Sequence, residues 1–258
     1  MENKKVFGRN ESLVLNSNTF QRIAKSNLEN TMTVQGAANK TIILLSIVAV
    51  SAAFGWLAID HTAGFSGSAV WIILAALAAL LVAIITGINM SFAPVTAPMY
   101  ALLEGFALGG ISAIFEADYA GIAIQAVSLT FATLFGLLII YRVSRFHVTG
   151  KFRPGVASAT LAICLVYSGE ILLNLLGLDG IPLLHQGGFI GIAFSLGIVC
   201  VAALNLVLDF DIIETGARQG APKYMEWYSA FALMVTLIWL YLEILKLLIQ
   251  LYASSDDS

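Results

Sequence analysis

Seven apolar runs divide this chain, each of about the 20 residues that a helix needs to cross the hydrocarbon core of a bilayer. They cover residues 40–59, 68–90, 97–115, 119–141, 155–178, 188–208 and 227–252. Composition agrees, with 59% hydrophobic and 11% charged residues against the roughly 25% charged typical of soluble domains. The expected fold is all-α and integral to the membrane, with seven transmembrane helices. All five prolines (Pro94, Pro98, Pro154, Pro182 and Pro222) are expected in connections or at helix starts, where a missing N–H costs least.

Charge sets the expected orientation. Six of the 13 Lys and Arg residues precede or open the first span, four fall between spans 4 and 5, and two fall between spans 6 and 7. All these connections lie on one side of the membrane, so the positive-inside tendency puts the N-terminus in the cytoplasm and the acidic tail S-S-D-D-S outside. Residues 1–39 read as a polar cytoplasmic arm and 40–258 as the transmembrane domain, with no cleavable leader evident. A net charge of −3 with localised basic loops suggests no nucleic-acid surface. Cys164 and Cys200 have no CxxC or Cys/His spacing, and packing thiols are expected rather than a disulfide or a metal site. His61, His147 and His185 fall in loops without ligand spacing, and no G-x-S-x-G or H-E-x-x-H occurs, so neither an enzyme nor a cofactor is expected.

The informative residues are carboxylates inside the spans, because an ionised side chain in hydrocarbon costs several kcal/mol unless paired, hydrated or protonated. Span 3 carries Glu104 beside a stripe of small residues, Ala101, Gly105, Gly109 and Ala113, that lets another helix approach closely. Span 5 carries Glu170 with Asn174, and span 6 carries Asn205 with Asp209; each pair is spaced i, i+4 and shares a helix face. Asp211 points to a different side and lies nearer the cytoplasm. Span 7 carries Glu243 and Lys246, whose i, i+3 spacing allows an intrahelical ion pair. Glu104 and Asp209 are expected at a cytoplasmic level, Glu170 and Glu243 at an outer one. Desolvation and mutual repulsion disfavour ionised carboxylates, so these groups are expected to titrate near neutral pH and share protons. Oxygen ligands suit hard cations, calcium above all. The implied chemistry is proton-sensitive cation handling.

The segments L-V-L-D-F-D-I-I and W-L-Y-L-E-I-L-K-L-L and the terminal S-S-D-D resemble the transmembrane Bax inhibitor motif family. M-T-V-Q-G, P-M-Y-A-L-L-E-G-F-A-L-G-G-I-S-A, Y-R-V-S-R-F-H-V-T-G-K-F-R-P-G-V and G-A-P-K-Y-M-E-W-Y resemble its bacterial branch of Bax inhibitor-like membrane proteins. The resemblance implies a last helix placed centrally and wrapped by the other six, in the bacterial inner membrane. It further implies a pH-sensitive calcium leak governed by an acidic pair on spans 6 and 7, which matches Asp209 and Glu243. In this chain the second acid is Glu rather than the family's usual Asp, and the intervening segment is longer. Folding the two spans back at residues 216–221 puts Asp209 level with residue 229 and Glu243 about 20 Å higher. The expectation is therefore that Glu243 meets Glu170, while Asp209 meets Glu104 or Glu226. Glu104, Glu170 and Asp211 form the expected acidic lining, and Asn174 and Asn205 the hydrogen-bond partners. The rival reading is a non-transporting interaction protein that modulates a membrane protease or other quality-control machinery, with the polar arm as its contact surface.

Overall fold

A computed structural model of the chain describes residues 31–58, 64–144, 151–178, 180–181 and 189–256. The arm before residue 31, the three histidines, Pro182 and the end of the acidic tail lie outside the described residues. Among the described residues seven α-helices follow one another: α1 (Val34–Ala58), α2 (Gly64–Ile88), α3 (Ala93–Asp118), α4 (Ile122–Ser144), α5 (Phe152–Leu175), α6 (Phe189–Arg218) and α7 (Met225–Asp256). Each contains a segment long and apolar enough to span a membrane. Among the described residues the β pairing is confined to one isolated bridge, between Thr31 and Pro222.

Two positions depart from the expected boundaries. Helix α3 starts at Ala93, with Pro94 in its first turn, and runs on through Pro98. Pro98 is thus inside a helix rather than at its start; it lacks the N–H that would reach back to the carbonyl of Pro94, a loss tolerable so near the end. Helix α6 continues to Arg218, and the chain reverses at Gly220, whose φ of +68° suits a residue without Cβ. The longer α6 shifts the connection a few residues later, to 219–224, and leaves Asp209 about two turns inside the helix.

Half of the spanning window is buried in α3 and in α7, against 11% in α5. These two are the most buried of the described spans. Helix α7 packs most extensively on α6, α1 and α4, while α2 lies on α3 and α5 lies on α6. Lipid tails are as apolar as leucine, so what holds such helices together is close van der Waals packing rather than expulsion of water. The small-residue stripe of α3 provides it. A Cβ on Gly105 would strike the backbone oxygen of Val48, and one on Gly109 that of Ala52, so α1 and α3 touch backbone to backbone. Gly55 of α1 returns the contact against the carbonyl of Phe106. Around α7 the core is built by Leu206, Leu237, Leu240, Ile244 and Leu245, each at most 4% exposed. The outward faces remain apolar, as Trp71, Leu81, Ile124 and Leu165 show.

Candidate functional site

Two polar centres lie along α7, and a third closes its N-terminal end. The first is built on Glu243, which is 4% exposed and faces α5. The Tyr167 hydroxyl lies 2.7 Å from Oε1 and 2.9 Å from Oε2 of Glu243, and Trp239 Nε1, one turn earlier on α7, donates to Oε1 at 3.1 Å. Lys246 does not form the expected ion pair with Glu243. Its ammonium instead sits 5.1 Å over the Tyr167 ring and 3.4 Å from the Tyr167 hydroxyl, held by the ring face as well as by the oxygen.

Glu170, 6% exposed, lies on α5 one turn beyond Tyr167. It accepts from Asn174 Nδ2 at 3.1 Å and from the backbone N–H of Ile181, just past the end of α5. A Cβ on Gly180 would overlap its carboxylate, so the chain following α5 is folded closely over this acid. Glu243 and Glu170 both act electrostatically on Lys246, so the outer acids converge around one half-buried cation. The Glu170–Asn174 pair is as the spacing suggested.

The second centre surrounds Asp209. Its side chain meets Thr236 of α7, not residue 229, because the turn between the helices falls later than expected. Glu243 is seven residues beyond Thr236 on the same helix. The separation along α7 is thus about 10 Å, half the expected figure. Asp209 Oδ2 is buried without a hydrogen-bond partner, while the Thr236 hydroxyl is turned to the Ala232 carbonyl at 3.1 Å.

Neither expected partner reaches Asp209 by hydrogen bond. Glu104 of α3 is half-buried near Tyr100 and makes no hydrogen bond or ion pair among the described residues. Asn205 does not serve Asp209 either; it donates to Thr160 Oγ1 at 2.8 Å and to the Val201 carbonyl at 2.9 Å, tying α6 to α5. Asp211 leaves the acidic lining altogether. It pairs with Arg153 at 2.6 Å, because its helix face turns toward the start of α5.

The third centre is Glu226, 1% exposed in the first turn of α7. It accepts from the Thr33 N–H at 3.0 Å and the Thr33 hydroxyl at 2.9 Å, and pairs with Lys223 at 2.9 Å. Those bonds use the unpaired N-terminal donors of α1, which a carboxylate satisfies well. Gly36 leaves the room: a Cβ there would overlap the Glu226 carboxylate. Met32 N–H adds a bond to the Ala221 carbonyl at 2.7 Å. The segments M-T-V-Q-G and G-A-P-K-Y-M-E-W-Y, far apart in the chain, are therefore two halves of one contact.

Tyr167, Trp239 and Thr236 were not singled out in the sequence. Trp239 stands four residues before Glu243 and Tyr167 three before Glu170, so helical spacing from the acids would have found both. Cys164 and Cys200 are exposed on the outer faces, not packed in the core. No three His, Cys, Asp or Glu side chains among the described residues group closely enough to cage a metal ion.

The family model described as Bax inhibitor 1 like matches residues 12–253, and the chain belongs to that family. It is a multi-pass membrane protein with seven spans. Neither a curated protein nor a solved structure gives a significant match.

Proposed function

We propose that this family member is a pH-sensitive cation leak channel of the bacterial inner membrane, with calcium as the candidate ion and with Asp209 and Glu243 as its titrating gate. The observation that carries the reading is that neither carboxylate is ion-paired among the described residues. Glu243 is bound by the neutral donors Tyr167 and Trp239, and Asp209 keeps a buried oxygen without a partner. A carboxylate inside a span that no cation pairs is a functional group by default rather than a fixed half of a salt bridge.

Both acids contact α7, about 10 Å apart along its axis, so a change of charge at either one alters how the helix packs on α5 or α6. Glu170 and Lys246 set the field at the outer level and Glu104 adds an acid at the cytoplasmic level. A cation crossing the bundle would exchange hydration water for single carboxylate and hydroxyl oxygens in passing, which suits leak rather than storage.

Calcium flux into liposomes, measured from mildly acidic to mildly alkaline pH, tests the proposal. The parent should conduct with a pH-dependent rate, and Asp209→Asn and Glu243→Gln should each flatten that dependence. Absence of flux in all three would remove the channel reading.

One observation favours the rival, a modulator of a membrane protease or quality-control partner. The end of the polar arm is fastened at Met32 and Thr33 to the α6–α7 hairpin that carries both acids. A partner gripping the arm would then act on the bundle without any ion crossing. Removing residues 1–30 separates the readings, since a channel keeps its flux and a modulator loses its effect.

A further inference from the structure

A groove of about 640 Å³ lies between α1 and α4, floored by α3 and α7. Leu45, Ala49 and Ala53 line its α1 side, and Val127 and Phe131 its α4 side. Leu57, Ile124, Val127 and Phe131 are exposed, so the groove opens sideways from the bundle. In a seven-span membrane protein that opening faces lipid. Water is not stable in an apolar slot bordered by hydrocarbon, and a lining without partner atoms loses its dispersion contacts.

The floor has a single polar feature, Ser112 and Tyr241, whose hydroxyls lie 2.6 Å apart and satisfy each other. The groove therefore presents an apolar wall to its occupant. Its polar end is at the C-terminus of α3, where Glu116 accepts from the Gly121 and Ala123 N–H groups at 2.6 and 3.0 Å. That end of the bundle also carries Asp118 and Asp256, the last residues of α3 and α7, and the sequence has no Lys or Arg in the connections and tail on that side. Lys246 is held over Tyr167, on the side of α7 that meets α5.

We infer that the groove between α1 and α4 binds one acyl chain of a zwitterionic, amine-headed phospholipid, with its ammonium at the Glu116–Asp118 end. The charge at the mouth selects this headgroup, because an anionic lipid would meet carboxylates with no cation to offset them. Tyr241 forms part of the floor and stands two residues before Glu243, so the bound chain supports α7 from the side opposite the Tyr167 contact. The inference rests on the seven-span membrane assignment, not on the channel reading.

The full chain is extracted from nanodiscs holding equal parts of an amine-headed zwitterionic lipid and an anionic glycerol-headed lipid, and retained lipid is identified by native mass spectrometry. One amine-headed lipid per chain is expected. Ala53→Trp, at an exposed position inside the groove, should empty it, and Asp118→Asn should erase the headgroup preference while keeping the lipid. A photoreactive residue at Val127 should crosslink to acyl chain. Retention of neither lipid, equal retention of both by the parent, retention undiminished in a folded Ala53→Trp chain, or crosslinking of Val127 to a second polypeptide would each overturn the proposal.

Discussion

The hydroxyl of Tyr167 on α5 lies within hydrogen-bond distance of both carboxylate oxygens of Glu243 on α7, at 2.7 and 2.9 Å. One hydroxyl proton thus serves two oxygens of an acid that is 4% exposed. This contact fastens α5, the least buried of the spans, directly to α7.

Tyr167→Phe removes the donor and keeps the ring under Lys246. Leaving a buried acceptor short of a partner costs about 1–3 kcal/mol. A lowered thermal midpoint in detergent is expected, together with a displaced pH midpoint of flux. A variant that kept the parent's midpoints in both measurements would show that the hydroxyl does not hold the gate.

Asp209→Asn keeps the shape of the side chain and removes its charge. Its buried Oδ2 has no bond to lose, so stability should change little or rise, while the pH dependence of calcium flux flattens. Thermal unfolding and liposome flux, run on one preparation, check both halves.

Gly109→Ala should destabilise by roughly 1–3 kcal/mol, because the new Cβ meets the backbone of Ala52 rather than a side chain that can swing away. Gly136→Ala, in open space on α4, is the control and should be neutral or stabilising by up to about 1 kcal/mol. Equal melting of the two variants would mean that α1 and α3 are not in backbone contact.

Glu226→Ala strands the Thr33 N–H and frees the start of α1 from α7. A loss of about 1–3 kcal/mol is expected, with faster amide hydrogen exchange at Thr33 to Gly36. Arg153→Ala, by contrast, breaks a pair whose arginine is 54% exposed, and should cost no more than about 1 kcal/mol. Hydrogen exchange resolved by segment distinguishes the two effects.

The seven spans and the close approach along Gly105 and Gly109 were legible in the sequence because both depend on local pattern: run length against bilayer thickness, and small residues at four-residue spacing. The Glu170–Asn174 pair was legible for the same reason. The partners of Asp209, Asp211 and Glu243 were not. Each depends on the rotation of one helix about its axis relative to another and on where the α6–α7 turn falls. A turn displaced by a few residues shifts every level on α7, which is why Asp209 meets Thr236 rather than residue 229.

Sequence alone settled that the chain crosses a membrane seven times and carries acids that hydrocarbon would reject, since the cost of such groups depends on residue type and depth. Tertiary structure decided which of those acids are neutralised and which are left to titrate. Glu226 and Asp211 found cations, Glu243 is held by the neutral donors Tyr167 and Trp239, and Asp209 keeps a bare oxygen. Such pairing is settled by contacts of a few ångströms between helices remote in sequence, at a precision that spacing along one helix does not carry.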